Sequence, residues 1–384
     1  MKKNKSLLFS SFLCLGLILL SSFLIFKMYK ETEQTEMAFK PIQTHEGRHA
    51  VLSSKSFRET ITLGAIGDIL IHDWLYNDAK TTTGYDFNPM FQHIKTMLHQ
   101  PDLLLANQET ILGGTALGIS SYPLFNSPQE VGDALLSAGV DLVSTANNHS
   151  LDKGEIGLLA SIDYMDKIGL PHVGTFRDSQ DKQSLLILNK NGIKVAYLSY
   201  TYGTNGILVP QGKEYLVNLI DKVAMKEEIH RAKVGADVIV MSLHWGNEYQ
   251  RFPTDEQRQL AQFLVNEGID ILFGHHPHVL QPMEWLKAAD GRKSLVVYSL
   301  GNFLSGQNWD YKDIGGMATV EVTKIIDEDG VQIELGNPDF FPTYVAQQNL
   351  KNYRVIPLKD AGPAGLKNAE AKYVEIQHHM LDDL

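Results

Sequence analysis

The sequence predicts an α/β fold with mixed sheets, and three observations lead to this class. Short apolar strands alternate with helices along most of the chain, which is typical of a largely buried sheet. Turn signals at Asn191-Gly192 and Asp329-Gly330 separate pairs of strands and indicate hairpins, so antiparallel strands join the parallel ones. Polar clusters follow directly after the apolar strands, at the position where ligands collect in open α/β sheets.

Six elements are predicted between residues 61 and 169 from apolar runs and helical periodicity. Ser127 is predicted to cap a helix with Pro128 at its first position, and Gly169 is predicted to end another helix. The predicted elements are strand Ile61–Ile66, helix Phe87–Leu98, strand Leu103–Ala106, helix Ser127–Ala138, strand Val140–Thr145 and helix Gly154–Ile168.

The second half of the chain continues the alternation, with Thr254 as the predicted cap of a helix. Signals after about residue 345 are mixed, so the folded domain is placed at 59–345, followed by a C-terminal extension at 346–384. The predicted elements are strands Leu185–Leu188 and Ile193–Ser199, helix Asp221–Val234, strand Val238–Leu243, helix Asp255–Glu267, and strands Ile269–Phe273, Leu295–Ser299, Ala318–Val322 and Val331–Leu335.

The N-terminus predicts a membrane anchor. Three lysines among residues 2–5 precede the uncharged apolar run Ser6–Phe26, which at about 1.5 Å per residue can cross a hydrocarbon core of roughly 30 Å. Bulky residues at the end of the run favour an uncleaved anchor over a cleaved signal peptide. The positive-inside rule puts residues 1–5 in the cytoplasm, so the polar stalk 27–58 and the domain after it are expected outside the cell membrane, held by a single transmembrane helix.

Composition limits the classes of partner. The 384-residue chain has a formal charge of -11, with 43% hydrophobic and 21% charged residues. A chain of this charge has no basic footprint, so nucleic acid is not an expected partner, although a local cationic site is compatible with it. The single cysteine, Cys14, rules out an intramolecular disulfide, and stability is therefore expected from an apolar core, which this length supplies.

The most informative stretch is Gly274-His275-His276-Pro277-His278, which directly follows the apolar run Ile269–Phe273. Neutral imidazole is a good ligand for divalent transition metals, and clustered histidines are typical of metal sites. Pro277 restricts the backbone between two of the histidines and so limits the positions of their rings. The stretch therefore predicts a metal site just beyond the end of a strand.

Other strands end in further candidate ligands, and together they predict a site for a divalent metal, with one or two ions. Carboxylate, amide and imidazole groups in combination favour Mn, Zn or Fe over Ca or Mg. Two ions roughly 3.5–4 Å apart can clamp the attacking and leaving oxygens of a displacement, and coordination makes water a nucleophile. Asp152 and Glu248 are interpreted as groups that orient imidazoles, and His72 and His275 are weaker candidates. The residues singled out are Asp68, Glu109, Asn148, His149, His244, His276 and His278.

Six motifs lie between roughly residues 60 and 305. Their order and spacing together identify a protein family, whereas no single motif would suffice. They are Gly67-Asp68, Asn107-x-Glu109, Ala146-Asn147-Asn148-His149-x-Leu151-Asp152-x-Gly154, His244-Trp245-Gly246-x-Glu248, Gly274-x-His276-Pro277-His278-Val279-Leu280-Gln281 and Tyr298-Ser299-Leu300-Gly301-Asn302-Phe303. In this order and spacing the motifs resemble the CapA/PgsA capsule-synthesis family, which is similar to the calcineurin-like metallophosphoesterases.

The resemblance implies a four-layer αββα metallophosphatase-like sandwich and assigns roles to the matching residues. His149 matches the catalytic histidine, with Asp152 beside it, and Glu109 takes the position of a metal-bridging aspartate. The metal ligands implied are Asp68, Glu109, Asn148, His244, His276 and His278. The residues expected to support these ligands or to contact a substrate are Asn107, Asn147, Trp245, Glu248, His275 and Asn302.

One departure from the phosphoesterase pattern lies in the first motif. Phosphoesterases carry Asp-x-His there, whereas Asp68-Ile69-Leu70 has leucine in the histidine position, which weakens one metal site. The resemblance also implies a role in making or exporting poly-γ-glutamate. Its implied partners are membrane-bound poly-γ-glutamate synthase subunits and the anionic polymer itself.

Three functions are consistent with these observations. The first is a membrane-anchored accessory factor for poly-γ-glutamate capsule formation. The second is an extracellular metallohydrolase that acts on phosphoesters or a cell-wall amide, for which His149 supplies a candidate acid. The third is a non-catalytic polymer-binding scaffold with a structural metal, which the leucine at position 70 favours. A metal site without an open coordination position would favour the third function.

Overall fold

The computed structural model describes Ser22 and residues 56–384. The predicted cytoplasmic segment 1–5 lies outside the described residues, as do the predicted anchor 6–26 apart from Ser22 and nearly all of the predicted stalk 27–58. None of the helices within the described residues has the length and apolar character needed to cross a membrane.

Fourteen strands are found between residues 57 and 357, and most of them begin or end within a few residues of the predicted strands. They are β1 Phe57–Leu70, β2 Leu103–Gln108, β3 Leu142–Ser144, β4 His172–Val173, β5 Leu186–Lys190, β6 Ile193–Thr201, β7 Val238–His244, β8 Ile271–His275, β9 Leu280–Lys287, β10 Lys293–Leu300, β11 Asn302–Ser305, β12 Ile314–Asp327, β13 Gly330–Gln348 and β14 Lys351–Pro357.

Nine α-helices lie between residues 73 and 381. They are α1 Asp73–Asp78, α2 Asn88–Phe91, α3 Lys95–Leu98, α4 Glu130–Ala138, α5 Gly154–Ile168, α6 Ser179–Gln183, α7 Lys222–Gly235, α8 Asp255–Glu267 and α9 Ala369–Leu381. The tail after residue 345, for which the sequence signals are mixed, contributes the end of β13, then β14 and α9.

The strands form two mixed sheets, as the alternation of helices and hairpins predicts. The first sheet has the order β14-β13-β12-β1-β2-β3-β4, with β11 also paired to β1. Strands β1 to β4 are parallel there, and β12 to β14 are antiparallel additions. The second sheet has the order β5-β6-β7-β8-β10-β9, with parallel pairing from β6 to β10 and an antiparallel strand at each edge.

Alternation of side chains along the strands builds a helix–sheet–sheet–helix stack. On β1, Leu63 and Ala65 belong to the core between the two sheets, whereas Ile66 packs with helices α1 to α5 on the outer face. On β6, Val195 faces the core between the sheets and Leu198 packs against α7 and α8. Both faces of each sheet are therefore covered, and the four-layer αββα arrangement that the resemblance implies is present.

Two predicted helices are confirmed at both ends, because their stop and start signals act locally. Helix α5 ends at Gly169, which takes a left-handed conformation with φ of 71°. Helix α8 begins with a capping box in which the Thr254 side chain accepts from the Gln257 backbone and the Gln257 side chain accepts from the Thr254 backbone. The predicted hairpin between β5 and β6 is also confirmed, with positive φ at Asn191 and Gly192.

Two other helix predictions are wrong in their boundaries. The helix predicted from Ser127 begins at Glu130, because the Ser127 hydroxyl donates to Thr110 Oγ1 at 2.7 Å instead of capping a helix. The segment Phe87–Leu98 is two short helices, α2 and α3, rather than one. Both helices bury apolar side chains in the core on the outer face of the first sheet. The apolar pattern of the segment therefore marks buried side chains, although the helix is interrupted.

The parallel strands bring their carboxyl ends to one edge of the sandwich, where the two sheets approach closely. The Asp68 backbone N–H donates to the Gly301 carbonyl at 2.9 Å, which joins the end of β1 to the turn after β10. A side chain on Gly67 would place its Cβ 1.9 Å from the same carbonyl oxygen, so only glycine fits at this contact. This edge holds the candidate site.

Candidate metal centre

Asp68, at the end of β1, is a fully buried carboxylate at the middle of the site. Asn107 Nδ2 donates to its Oδ1 at 2.8 Å, His275 Nδ1 lies 3.4 Å from Oδ1, and His278 Nδ1 lies 3.1 Å from Oδ2. Burial alone would raise the pKa of this carboxyl, but the contacts with His275 and His278 outweigh it and hold the pKa well below its usual range. Asp68 is therefore a charged group at this edge.

Glu109 follows β2 and is fully buried, yet neither of its carboxylate oxygens has a hydrogen-bond partner among the described residues. Its Oε1 lies 3.6 Å from His244 Nε2 and 3.8 Å from His278 Nε2. Burial raises the pKa of Glu109 well above its usual range, and the charge of Asp68 adds to the effect. A buried carboxylate is costly without a compensating partner, and a bound cation is the partner that this position fits.

The imidazoles of His244 and His278 present nitrogen atoms toward Glu109 from β7 and from the loop after β8. His244 Nε2 also lies 2.9 Å from Asn148 Oδ1, so an amide oxygen joins the same group. His278 Nδ1 lies 3.1 Å from both Asp68 Oδ2 and Asn302 Oδ1, which assigns the Nδ1 proton to these acceptors and leaves Nε2 as the lone-pair nitrogen. Burial, followed by the charge of His276, lowers the pKa of His244 well below its usual range, so this ring is neutral.

A second group of possible ligands shares His278 with the first. Ligand atoms of Glu248, His276 and His278 lie within 4.8 Å of one another, as do those of Asp68, Glu109 and His278. The His276 ring lies 4.8 Å from the His244 ring, and burial lowers the pKa of His276 to about 3. Glu248 is exposed, whereas the other members are buried, so the second group lies nearer to solvent.

His149 and Asp152 form a buried pair in the loop between β3 and α5. Asp152 Oδ2 lies 2.7 Å from His149 Nδ1 and accepts from the Phe125 backbone N–H at 2.5 Å. The His149 ring packs edge-on against Phe125, with centroids 4.7 Å apart, and the Asn147 side-chain oxygen accepts from the His149 backbone at 2.9 Å. The pair thus has a fixed orientation, with Nε2 as the ring nitrogen that is not paired with Asp152.

Comparison with known proteins agrees with the motif series. Residues 62–307, well over half of the chain, match the family described as bacterial capsule synthesis protein PGA_cap. The chain belongs to this capsule-synthesis family.

Individual relatives extend the match within the family. The chain is 27% identical over 332 residues to the capsule biosynthesis protein CapA of Bacillus anthracis, covering 83% of this chain and 78% of the relative. It is 28% identical over 265 residues to the PGA biosynthesis protein CapA of Bacillus subtilis, covering 65% of each. A calcineurin-like phosphoesterase of Bacillus subtilis is similar in structure, with 15% identity and a TM-score of 0.45 over 84% of this chain and 100% of that one.

In this member of the capsule-synthesis family, most of the predicted site residues are brought together. Direct contacts join the predicted ligands and supporting residues on β1, β2, β7, β8 and β11 and on the segments that follow β2, β3 and β8. The joined residues are Asp68, Asn107, Glu109, Asn148, His244, His275, His276, His278 and Asn302. Asn147 supports the loop, since its Nδ2 donates to the Gln108 carbonyl at 3.0 Å.

Trp245 lies outside this cluster. Its Nε1 donates to the Tyr298 carbonyl at 3.0 Å, and its ring stacks on Tyr298 with centroids 5.9 Å apart. Successive residues at a strand end point to opposite faces, and His244 takes the inward position. The Trp245 side chain therefore belongs to the outer core, and its expected role in supporting the ligands or contacting a substrate stays a prediction.

Several aromatic residues at the site are not among the sequence predictions. Tyr202, immediately after β6, places its ring 4.6 Å from that of His276, and its backbone N–H donates to the His244 carbonyl. Tyr249 contacts the loop after β8 that carries His276 and His278, with its ring 6.2 Å from that of His278. Tyr202 directly follows strand β6. The rule that ligand-binding residues lie just after the strands of an α/β sheet therefore also selects Tyr202.

The residues present fit a divalent metal. Two carboxylates, one amide oxygen and neutral imidazoles form a donor set that suits Mn, Zn or Fe, and the unpartnered Glu109 oxygens lie within it. Leu70, at the histidine position of the phosphoesterase pattern, is buried and offers no ligand atom. Asp68 nevertheless has an imidazole beside it, that of His275 on β8, whose Nδ1 lies 3.4 Å from Asp68 Oδ1.

Proposed function

We propose that this protein is a membrane-anchored, extracellular factor for the synthesis or export of poly-γ-glutamate capsule, with a divalent metal centre at the strand ends. Membership of the capsule-synthesis family supports the capsule role, as do two relatives named for capsule and PGA biosynthesis. The observation that carries the metal centre is the buried Glu109 carboxylate, which has no hydrogen-bond partner among the described residues and lies within 4 Å of two imidazoles.

The proposed location comes from the N-terminal sequence. The lysines before the apolar run Ser6–Phe26 support a cytoplasmic N-terminus and an outside-facing domain. A domain anchored in this way would meet membrane-bound synthase subunits and the anionic polymer as it leaves the cell. The proposal therefore includes both as partners.

Most residues of the site would either hold a metal or orient the groups that hold it. Glu109, Asn148, His244 and His278 would hold the ion, with Asp68 as a further ligand and as the acceptor that fixes the His278 tautomer. A divalent metal bound here supplies Lewis acidity toward a carbonyl or phosphoryl oxygen. The remaining residues keep the site largely buried from water and fix the orientation of its imidazoles.

Deletion of the gene is expected to abolish or sharply reduce surface poly-γ-glutamate, and wild-type protein should restore it. A His278→Ala protein should fail to restore it, because His278 contacts both carboxylates of the centre. A His378→Ala protein should restore polymer fully, since His378 is exposed on α9. Polymer released from the cell wall is measured by chain length and amount, with protein level checked by immunoblot. Unaltered polymer in the deletion strain would refute the proposed function.

A second candidate function, an extracellular metallohydrolase, is favoured by one observation, the His149–Asp152 pair. A histidine held by a buried carboxylate at 2.7 Å is arranged to exchange a proton with a leaving group through Nε2. Such a group typically contributes about 100-fold or more to the rate.

The hydrolase candidate predicts that purified protein loaded with Mn or Zn turns over model phosphoesters or cell-wall amides. The His149→Ala protein should then lose about 100-fold in kcat, with little change in KM. His378→Ala serves as the matched control on the surface. A wild-type protein without turnover, or equal turnover in wild type and His276→Ala, would exclude the hydrolase candidate.

A further inference from the structure

Lys312 lies at the edge of the metal centre and is tied to it through its backbone. Asn302 Nδ2 donates to the Lys312 carbonyl at 2.8 Å, while Asn302 Oδ1 lies 3.1 Å from His278 Nδ1. A single side chain therefore connects the Lys312 backbone to a proposed metal ligand. The position of Lys312 relative to His278 is fixed by this buried asparagine.

The side chain of Lys312 has a second, indirect connection to the same histidine, through the ring of Tyr249. Its Nζ lies 5.0 Å from the centroid of the Tyr249 ring, and the Tyr249 ring lies 6.2 Å from that of His278. The Tyr249 backbone N–H donates to the Pro277 carbonyl at 2.7 Å, which anchors the tyrosine to the histidine loop. A cation–π contact of this kind positions an ammonium group without using its N–H donors.

The donors of the Lys312 ammonium are available for a ligand. Within residues 56–384 it makes no side-chain hydrogen bond, and its nearest carboxylate oxygen, on Asp310, is 4.0 Å away. The Asp310 side chain is 91% exposed, so this ion pair is weak and easily replaced. The Lys312 side chain itself is 25% exposed, which leaves it reachable from solvent but partly fixed.

The charge around the centre makes such a cation useful. Asp68, Glu109 and Glu248 contribute three carboxylates to the two groups of possible ligands, and the whole chain carries a formal charge of -11. An ammonium group beside the centre lowers the repulsion that these carboxylates exert on an approaching anionic chain. The half-exposed ring of Tyr249 lies under the ammonium and offers an apolar face beside it, and the half-exposed ring of Tyr202 lies 4.6 Å from that of His276.

We propose that Lys312 and Tyr249 form a recognition site for a side-chain or terminal carboxylate of an anionic polyamide chain, adjacent to the metal centre. The ammonium receives the carboxylate, and the tyrosine ring contacts the methylene groups of the same unit. This inference rests on the proposed function, because that function makes a glutamate polymer the ligand. It adds the residues that select a carboxylate-bearing chain over a neutral one.

The test is the affinity of the full chain, purified in a mild detergent, for an oligomer of γ-linked glutamate, measured by calorimetry at low and moderate salt. The Lys312→Ala protein should bind about five- to tenfold more weakly and with a smaller salt dependence. The Lys312→Arg protein should bind like wild type. Lys293→Ala is the matched control. Lys293, the first residue of β10, also makes a cation–π contact, with its Nζ 4.9 Å from the centroid of the Trp285 ring. The affinity of the Lys293→Ala protein for the oligomer should equal that of wild type.

Three results would overturn the assignment of this site: equal affinity in wild type and Lys312→Ala, no binding of the oligomer to wild type, or tighter binding of inorganic phosphate than of the oligomer. The last result would assign the cation to a phosphate instead of a carboxylate chain. The capsule phenotype decides the proposed function separately. A deletion strain without polymer, together with an unchanged affinity in Lys312→Ala, would refute only the Lys312 site.

Discussion

Replacing Asp68 with asparagine is expected to weaken the binding of a divalent metal by about 100-fold or more, since even supporting residues of metal sites often contribute 10- to 100-fold. The side chain is fully buried and its oxygens lie within 3.4 Å of His275 and His278. Asparagine keeps the volume but removes the negative charge and places an amide N–H or a neutral oxygen against His278. The carboxylate's attraction for the cation is lost, and Asn302 Oδ1 is left as the other acceptor for the His278 Nδ1 proton.

The measurement is the metal content of purified protein after dialysis, together with affinity from titration with Mn or Zn. Asp270→Asn is a matched control. Asp270 is another largely buried carboxylate, whose pKa is raised by burial to about 6, and it accepts from the Ile239 backbone at 2.8 Å, at the opposite end of β7 from His244. Metal content should be unchanged in Asp270→Asn. Full metal binding by Asp68→Asn would contradict the assignment of Asp68.

Replacing Gly274 with alanine is expected to lower the free energy of unfolding by about 3 kcal/mol, because overpacking a rigid site forces the backbone to move. A Cβ at this position would lie 1.9 Å from the Tyr298 carbonyl oxygen and 2.7 Å from Trp245 Nε1. These two atoms are hydrogen-bonded to each other, so the clash also disrupts the contact between β8 and β10. The histidines that follow Gly274 would be displaced with it.

Gly336→Ala provides the matched control for this substitution. Gly336 lies within strand β13, and a Cβ there would meet no atom within 4 Å. Its effect on the free energy of unfolding should stay within about 0.5 kcal/mol, as is usual for unconstrained surface positions. Chemical denaturation of both proteins gives the comparison. A Gly274→Ala protein as stable as wild type would show that β8 and β10 are not packed as closely as described.

Much of the site is predictable because one rule places its residues. In a sheet with parallel strands, the side chains just after the strands meet at one edge. Asp68 lies in the last residues of β1, just after the apolar run Ile61–Ile66, and Glu109 follows β2. His244 ends β7 and His278 follows β8, so the rule selects all four from apolar runs alone. The sequence also predicts helices α5 and α8, since glycine and threonine give clear stop and start signals.

Other elements escape prediction because their local signals oppose the structure. Strand β9 contains Pro282 and charged residues, which argue against a strand, yet it lies at the edge of its sheet, where proline is tolerated. Strand β11 has only four residues, too few to show a periodic pattern. Helix α9 is apolar on a narrow face, through residues such as Ile376 and Met380, which belong to the core between the sheets.

Contacts between distant loops are the part of the site that no pattern in the sequence indicates. Phe125 supports His149 and Asp152 from a loop that carries no motif, and its role depends on a backbone N–H rather than on its side chain alone. Lys312 likewise reaches the centre through a contact with Asn302, ten residues before it. These pairings arise from tertiary packing, so the structure is needed to find them.

Strand ends from both sheets are proposed to hold one divalent metal centre. The most direct measurement is a crystal structure of the wild-type protein grown with Mn or Zn, with anomalous diffraction recorded on both sides of the metal's absorption edge. An anomalous peak is expected at bonding distance, about 2.0–2.2 Å, from Glu109 and from Nε2 of both His244 and His278. An anomalous peak elsewhere on the protein, or a well-ordered Glu109 carboxylate with no peak beside it, would contradict the claim.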